Sequence, residues 1–158
     1  MTLPLPTTVG NTSATGEGAV EPSVNTVDRT ALKPGVLVPE LVRTIELSDM
    51  VAYAGATWDW HRMHYDIDFA SSNGLRGPVI DGQVFGALLV ESLYEWLGPR
   101  IFISKLSFRF KEMAFAGDTV VCAGVVEKFD GTTLTCTHTL SVADRVIVAP
   151  ASSAVLLR

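Results

Sequence analysis

Residues 81–111 read DGQVFGALLVESLYEWLGPRIFISKLSFRFK, and the periodicity changes once inside that run. Asp81 is a residue type that caps helices, and Gly98-Pro99 is a pair that stops them, so the spacing predicts a helix over Gly82–Leu97. Val84, Phe85, Ala87, Leu88, Leu89, Val90, Leu93 and Trp96 place apolar side chains almost all round it. Such a helix needs cover on more than one face. After Pro99 the pattern alternates. Leu106, Phe108 and Phe110 point one way while Lys105, Ser107, Arg109 and Lys111 point the other, which predicts a half-buried strand.

Working outward, three further strands are expected at Thr119–Lys128, Thr132–Val142 and Val146–Leu157, joined by turns at Asp130-Gly131 and Ala143-Asp144. Upstream, Val36–Glu46 reads as a strand and Ser48 as the N-cap of a short helix over Asp49–Ala56. Asp66 or Asp68 is expected to cap another short turn, ended by Asn73-Gly74. The order is a strand, a helical stretch, then a four-strand antiparallel meander. That is an α+β architecture, with a curved sheet wrapping the long helix and a second subunit completing its cover. Residues 1–30 are rich in Thr, Ser, Gly and Pro without periodicity, so they read as a flexible tail before a single domain over 31–158.

Composition narrows the function classes. With 47% hydrophobic and 18% charged residues, the chain has enough apolar material for one real core. A net charge of −5 leaves no basic stripe to meet phosphate, which argues against nucleic acid as a partner. No apolar run is long enough to cross a bilayer, and the N-terminus has no secretory pattern, so cytoplasm is the default expectation. Cys122 and Cys136 flank the Asp130-Gly131 hairpin signal. If paired residues there sum to 261, Cys122 faces Thr139 and the two thiols lie out of disulfide reach.

Chemistry concentrates in Tyr53–Gly86, YAGATWDWHRMHYDIDFASSNGLRGPVIDGQVFG. His61 and His64 fall among Asp59, Asp66 and Asp68, just ahead of a bare helix N-terminus at Asp81-Gly82. A carboxylate and an imidazole together polarise water, and the first amides of a helix are unpaired donors at its positive end. Gly82, lacking a Cβ, would let a substrate carbonyl approach closely. His61-x-x-His64 has no third ligand at recognisable spacing, so no metal is expected.

These residues resemble the MaoC-like hydratases and dehydratases, a family with the hot-dog fold. Asp59 followed five residues later by His64, then Asp66, a glycine loop and Gly82 at the helix start match the family pattern. Two positions depart from it. His61-Arg62 stand where the family has Asn-Pro, in a run similar to a branch acting on branched or carboxylated acyl-CoA, and Asp81 stands where a His normally precedes the helix glycine. The resemblance implies water addition to, or removal from, a 2-enoyl thioester, with Asp59 and His64 holding the water and the Gly82 amide as oxyanion donor. Trp60, His61, Arg62, Asp81 and Gln83 are the candidate substrate contacts. No cofactor is implied beyond the coenzyme A or acyl carrier protein that bears the acyl group. The implied assembly is a homodimer or higher oligomer, or a heterodimer. Two rivals stand beside this reading. One is a hot-dog thioesterase using Glu91 on the long helix; the other is a non-catalytic subunit of a heteromeric dehydratase.

Overall fold

The computed structural model describes residues 27–158, so all but the end of the expected tail lies outside the described residues. The order is β1 (Leu37–Thr44), α1 (Leu47–Thr57), α2 (Ile67–Ser72), α3 (Gly82–Leu97), β2 (Ile101–Phe110), β3 (Thr119–Phe129), β4 (Thr133–Val142) and β5 (Arg145–Leu157). The five strands form one antiparallel sheet in the order β1-β3-β4-β5-β2. Helix α3 touches both edge strands, β1 and β2, so the sheet curls round it.

Alternation along the strands builds the core. In β4, Leu134, Cys136, His138, Leu140 and Val142 are buried while Thr139 between them is exposed. From the helix side, Phe85, Leu88, Leu89, Leu93 and Leu97 face inward. Leu89 and Leu93 are fully enclosed, and burying each contributes about 1.5–3 kcal/mol. The core falls into two groups, one around Leu88 and Leu89 and one around Leu93 and Leu97.

The expected meander is corrected in one respect. Strands β3, β4 and β5 do follow one another, but β2 lies against β5 at the far edge, with Ile103 opposite Val155. Periodicity shows which face of a strand is apolar and is blind to which strand pairs with it. The consequence is that Lys111–Asp118 must cross the end of the sheet to reach β3 beside β1. That crossing is well anchored. Lys111 N–H donates to Ile147 O at 2.9 Å, Ala116 N–H to Pro78 O at 2.9 Å and Gly117 N–H to Ile45 O at 2.8 Å. The Asp118 carboxylate, only 12% exposed, holds Arg76 at 2.5 Å and accepts from Phe115 N–H at 2.9 Å.

Two local expectations also shift. Helix α1 begins at Leu47 with Glu46 as its cap residue, in place of Ser48, because Asp49 reaches back to accept from Glu46 N–H at 2.9 Å. The β3–β4 loop is longer than two residues. The Asp130 carboxylate accepts from Thr132 and Thr133 N–H, and a bulge between Val126 and Lys128 sets Cys122 opposite Leu140. Cys122 and Cys136 remain buried free thiols, and burial pushes both pKa values up to about 11. Among the described residues, no helix is long and apolar enough to cross a membrane.

Candidate active site

The site is assembled from three short pieces of chain. Trp58 ends α1 in the left-handed conformation at φ 62, which turns the chain sharply and presents Asp59. His61 then caps a single 3₁₀ turn, its Nδ1 accepting from Met63 N–H at 3.2 Å, and His64 closes that turn. The third piece is the run into α3. Val79 pairs with Phe115 of the crossing segment, Ile80 N–H donates to Ala114 O at 2.8 Å, and Asp81 caps the helix by accepting from Gln83 N–H at 2.9 Å.

His64 is oriented by a backbone carbonyl. Its Nδ1 lies 2.7 Å from Val79 O, while Val79 N–H donates to Met63 O at 2.9 Å, so the His64 turn and the Val79 run brace each other. A carbonyl only accepts, so a neutral His64 carries its proton on Nδ1 and keeps Nε2 free as a base. One ring nitrogen of His64 and one oxygen each of Asp59 and Asp81 lie within 4.8 Å of one another. Asp59 is exposed, and the other two are half-buried.

Beside this cluster lies a cavity of about 290 Å³, walled mainly by Met63, Val79, Ile80, Phe85, Phe110 and Met113, with His64 and Gly82 facing it. Gly82 is the first residue of α3, so its N–H has no partner inside the helix. Tyr53 of α1 stands near. Its burial and then the negative charge of Asp81 hold its hydroxyl pKa above the ordinary value.

The structure therefore brings Asp59, His64, Gly82 and Asp81 to one place. The other sequence candidates have separate employment. His61 faces solvent and caps its turn. Arg62 is bonded to Asp66 at 2.9 and 2.7 Å and lies over the Phe69 ring. Asp66 is the N-cap of α2, and its bond from Phe69 N–H, then Arg62, hold its carboxyl below the usual range. Gln83 contributes its backbone N–H to the Asp81 cap, and its residue is exposed. Trp60, the remaining candidate contact, is exposed and meets the exposed Trp58 ring edge to face.

His61 stays outside the cluster of Asp59, His64 and Asp81. Asp81 joins it from 17 residues beyond His64, because the Val79 hydrogen bonds fold the two segments together. The roles of Val79 O and of Phe110 were missed as well. The first is a backbone atom with no sequence signature, and the second depends on where β2 ends relative to α3.

Comparison with known proteins fits this geometry. The sequence model of the MaoC like domain matches residues 33–149, most of the chain. The chain belongs to that family. The mitochondrial 3-hydroxyacyl-[acyl-carrier-protein] dehydratase of Arabidopsis thaliana is 24% identical over 93 residues, which cover 59% of this chain. The chain spans 55% of that relative's length. Among solved structures, the (R)-hydratase from A. caviae involved in PHA biosynthesis superposes with a TM-score of 0.75 at 22% identity, covering 81% of this chain and 98% of that one. A chain of the ChsH1-ChsH2 complex from Mycobacterium tuberculosis gives 0.74 at 24% identity, covering 80% and 98%. The fold expected from the MaoC-like resemblance, the hot-dog fold, is the fold of this chain.

Proposed function

We propose that this chain interconverts 2-enoyl and 3-hydroxyacyl thioesters by adding or removing water. The observation that supports the reading is that His64 and Gly82 line one largely apolar cavity while Asp59 lies within reach of His64 beside it. A water lodged between Asp59 and His64 loses a proton to His64 Nε2 as its oxygen attacks the β-carbon. The double-bond electrons move toward the thioester oxygen, where the Gly82 N–H and the positive end of α3 stabilise the enolate. The same proton then passes from His64 to the α-carbon, so one water is added and no proton is left over. Dehydration is the reverse. The acyl group arrives on coenzyme A or an acyl carrier protein, and no other cofactor is invoked.

The thioesterase rival has less support. Glu91 is gripped by Arg43 of β1 at 2.9 and 2.7 Å, does not line the cavity, and would leave the Asp59–His64 pair unused.

An oligomer completes the proposal. Tyr94 on α3 and Phe102 and Phe110 on β2 are exposed, and Asp59 is open to solvent beside the cavity. A second MaoC-like chain, identical or not, would cover such surface and close the site. The similar ChsH1-ChsH2 structure is itself a two-protein complex. The decisive assay supplies purified protein with a panel of enoyl-CoA thioesters and identifies the product. 3-Hydroxyacyl-CoA supports the proposal. Release of free coenzyme A establishes the thioesterase, and no turnover in a correctly assembled sample leaves the subunit rival.

A further inference from the structure

The two edges of the sheet differ in what they offer a further strand. On β1, Pro39 has no N–H to donate and the register slips between Val38 and Leu41, which blunts that edge. Strand β2 holds no proline, and Phe102 and Phe110 near its two ends are 48% and 51% exposed. A strand that stays in water has no use for two open phenylalanines. Between them β2 carries charge of one sign only. Lys105 lies opposite Ala154, and Thr135 of β4 comes next in that row. Ser107 lies opposite Ser152, followed by Thr137. Arg109 falls between Phe108 and Phe110, whose partners Ala151 and Val148 are buried, so it faces outward as Lys105 does. No carboxylate stands in these rows. The nearest acid along the chain, Glu112, is taken by Arg145 at 3.1 Å, and neither Lys105 nor Arg109 has an ion pair among the described residues.

We propose that β2 is the docking edge for a second, different MaoC-like chain whose own edge strand is acidic, so that the working assembly is a heterodimer. The inference rests on the assembly put forward above, and it names the partner without depending on the hydration chemistry. Two identical copies joined at this edge are related by a twofold axis, which lays β2 antiparallel to itself. The pleat favours registers that set outward residues beside outward ones. With the axis at any of residues 105–108, Lys105 of one copy falls directly opposite, or one step diagonal to, Lys105, Arg109 or Lys111 of the other. Opposite residues are about 5 Å apart and diagonal ones about 7–8 Å, so like charges there repel. Both distances lie inside the screening length at low salt. The chain as a whole is acidic, at net charge −5, yet its pairable edge is cationic. That edge selects against its own copy. A partner with Asp or Glu at the facing positions turns each repulsion into an attraction while covering Phe102 and Phe110.

The test uses the full chain and reads mass by sedimentation velocity and native mass spectrometry, at micromolar concentration and low salt. The charge-reversed variant Lys105→Glu/Arg109→Glu stands in for the acidic partner edge. Wild type and this variant should each be mainly monomeric alone, whereas their equimolar mixture should form a dimer holding one copy of each. Raising the salt to molar strength should weaken that mixed dimer by on the order of tenfold. The uncharged Lys105→Gln/Arg109→Gln should self-associate more tightly than wild type by a similar factor. A tight wild-type homodimer at low salt, indifferent to salt and to these variants, overturns the proposal. So does a mixture with no mixed dimer, or with only its statistical share, which would leave Lys105 and Arg109 as charges that merely blunt the edge. A ladder of larger species would place β2 against β1 of another copy and overturns it as well. Circular dichroism checks each fold, and if the double Glu variant does not fold, Lys105→Glu in the same mixture decides. Hydration is assayed separately on each species, so a wrong partner and a wrong reaction are told apart.

Discussion

The buried His138 makes stability depend on pH in a window that can be stated in advance. This residue sits on the helix-facing side of β4, 3% exposed. Its Nε2 is 2.8 Å from Ser153 Oγ, and its Nδ1 has no partner among the described residues. The ring lies over Gly124 of β3, where an added Cβ would meet Nδ1 at 2.6 Å. Burial drives its pKa from 6.5 down to about 4. The unfolded chain therefore takes up a proton near pH 6.5 while the folded chain resists until about pH 4. Folding stability is unaffected by this residue above pH 6.5 and falls as the pH is lowered through the window between those values. At about 1.4 kcal/mol for each tenfold difference in proton affinity, the loss approaches 3 kcal/mol, a sizeable part of an ordinary domain's stability. The perturbation is His138→Gln, which keeps a polar group for Ser153 but does not titrate. Urea unfolding followed by tryptophan fluorescence at several pH values from 4.5 to 8 gives both curves. Their difference should be flat above pH 7 and grow toward the acid end, because the other titrating groups are common to both proteins. Parallel curves across the whole range would refute a buried, neutral His138.

Four further outcomes are expected. Asp59→Asn and His64→Ala should each lower hydration by on the order of 10² to 10⁴ while the protein stays folded, and near wild-type turnover in either removes that residue from the chemistry. Asp81→Asn keeps an acceptor for Gln83 N–H, so it should melt like wild type, whereas Asp81→Ala should lose about 1 kcal/mol; equal losses in both would contradict the cap. Prolonged dialysis against a strong chelator should leave hydration within about twofold, and a larger loss restored by a divalent cation would convert the Asp59–His64–Asp81 cluster into a metal site. Light scattering at micromolar concentration should show at least a dimer, alone or with a second MaoC-like chain; a stable monomer that is fully active contradicts the shared site.

Much of the molecule is local and therefore legible. The limits of α3 follow from Asp81 and Gly98, and the apolar faces of β4 and β5 follow from alternation, since capping and side-chain direction involve near neighbours only. The Asp59–His64 spacing was equally visible. Two local readings shifted because neighbouring groups compete for the same partner. Ser48 is a good cap in isolation, yet Asp49 bonding to Glu46 moved the helix start. Likewise Arg62, a candidate substrate contact, is bonded to Asp66 and lies over the Phe69 ring.

From its sequence alone this protein was bound to have a long, all-round apolar helix, an alternating antiparallel sheet and an acid–imidazole pair ahead of a bare helix N-terminus. Residue type and spacing decide those features through interactions a few residues long. Only the tertiary structure decided that β2 leaves its neighbour in sequence and pairs with β5, which sends Lys111–Asp118 across the sheet to wall the cavity. It also decided that Val79 O sets the tautomer of His64, that Asp81 faces His64 as well as capping α3, and that Phe110 fills the space a Gly82 side chain would need. Each of these joins chain segments far apart in sequence, and their meeting depends on how the whole core packs, which no local pattern of residues encodes.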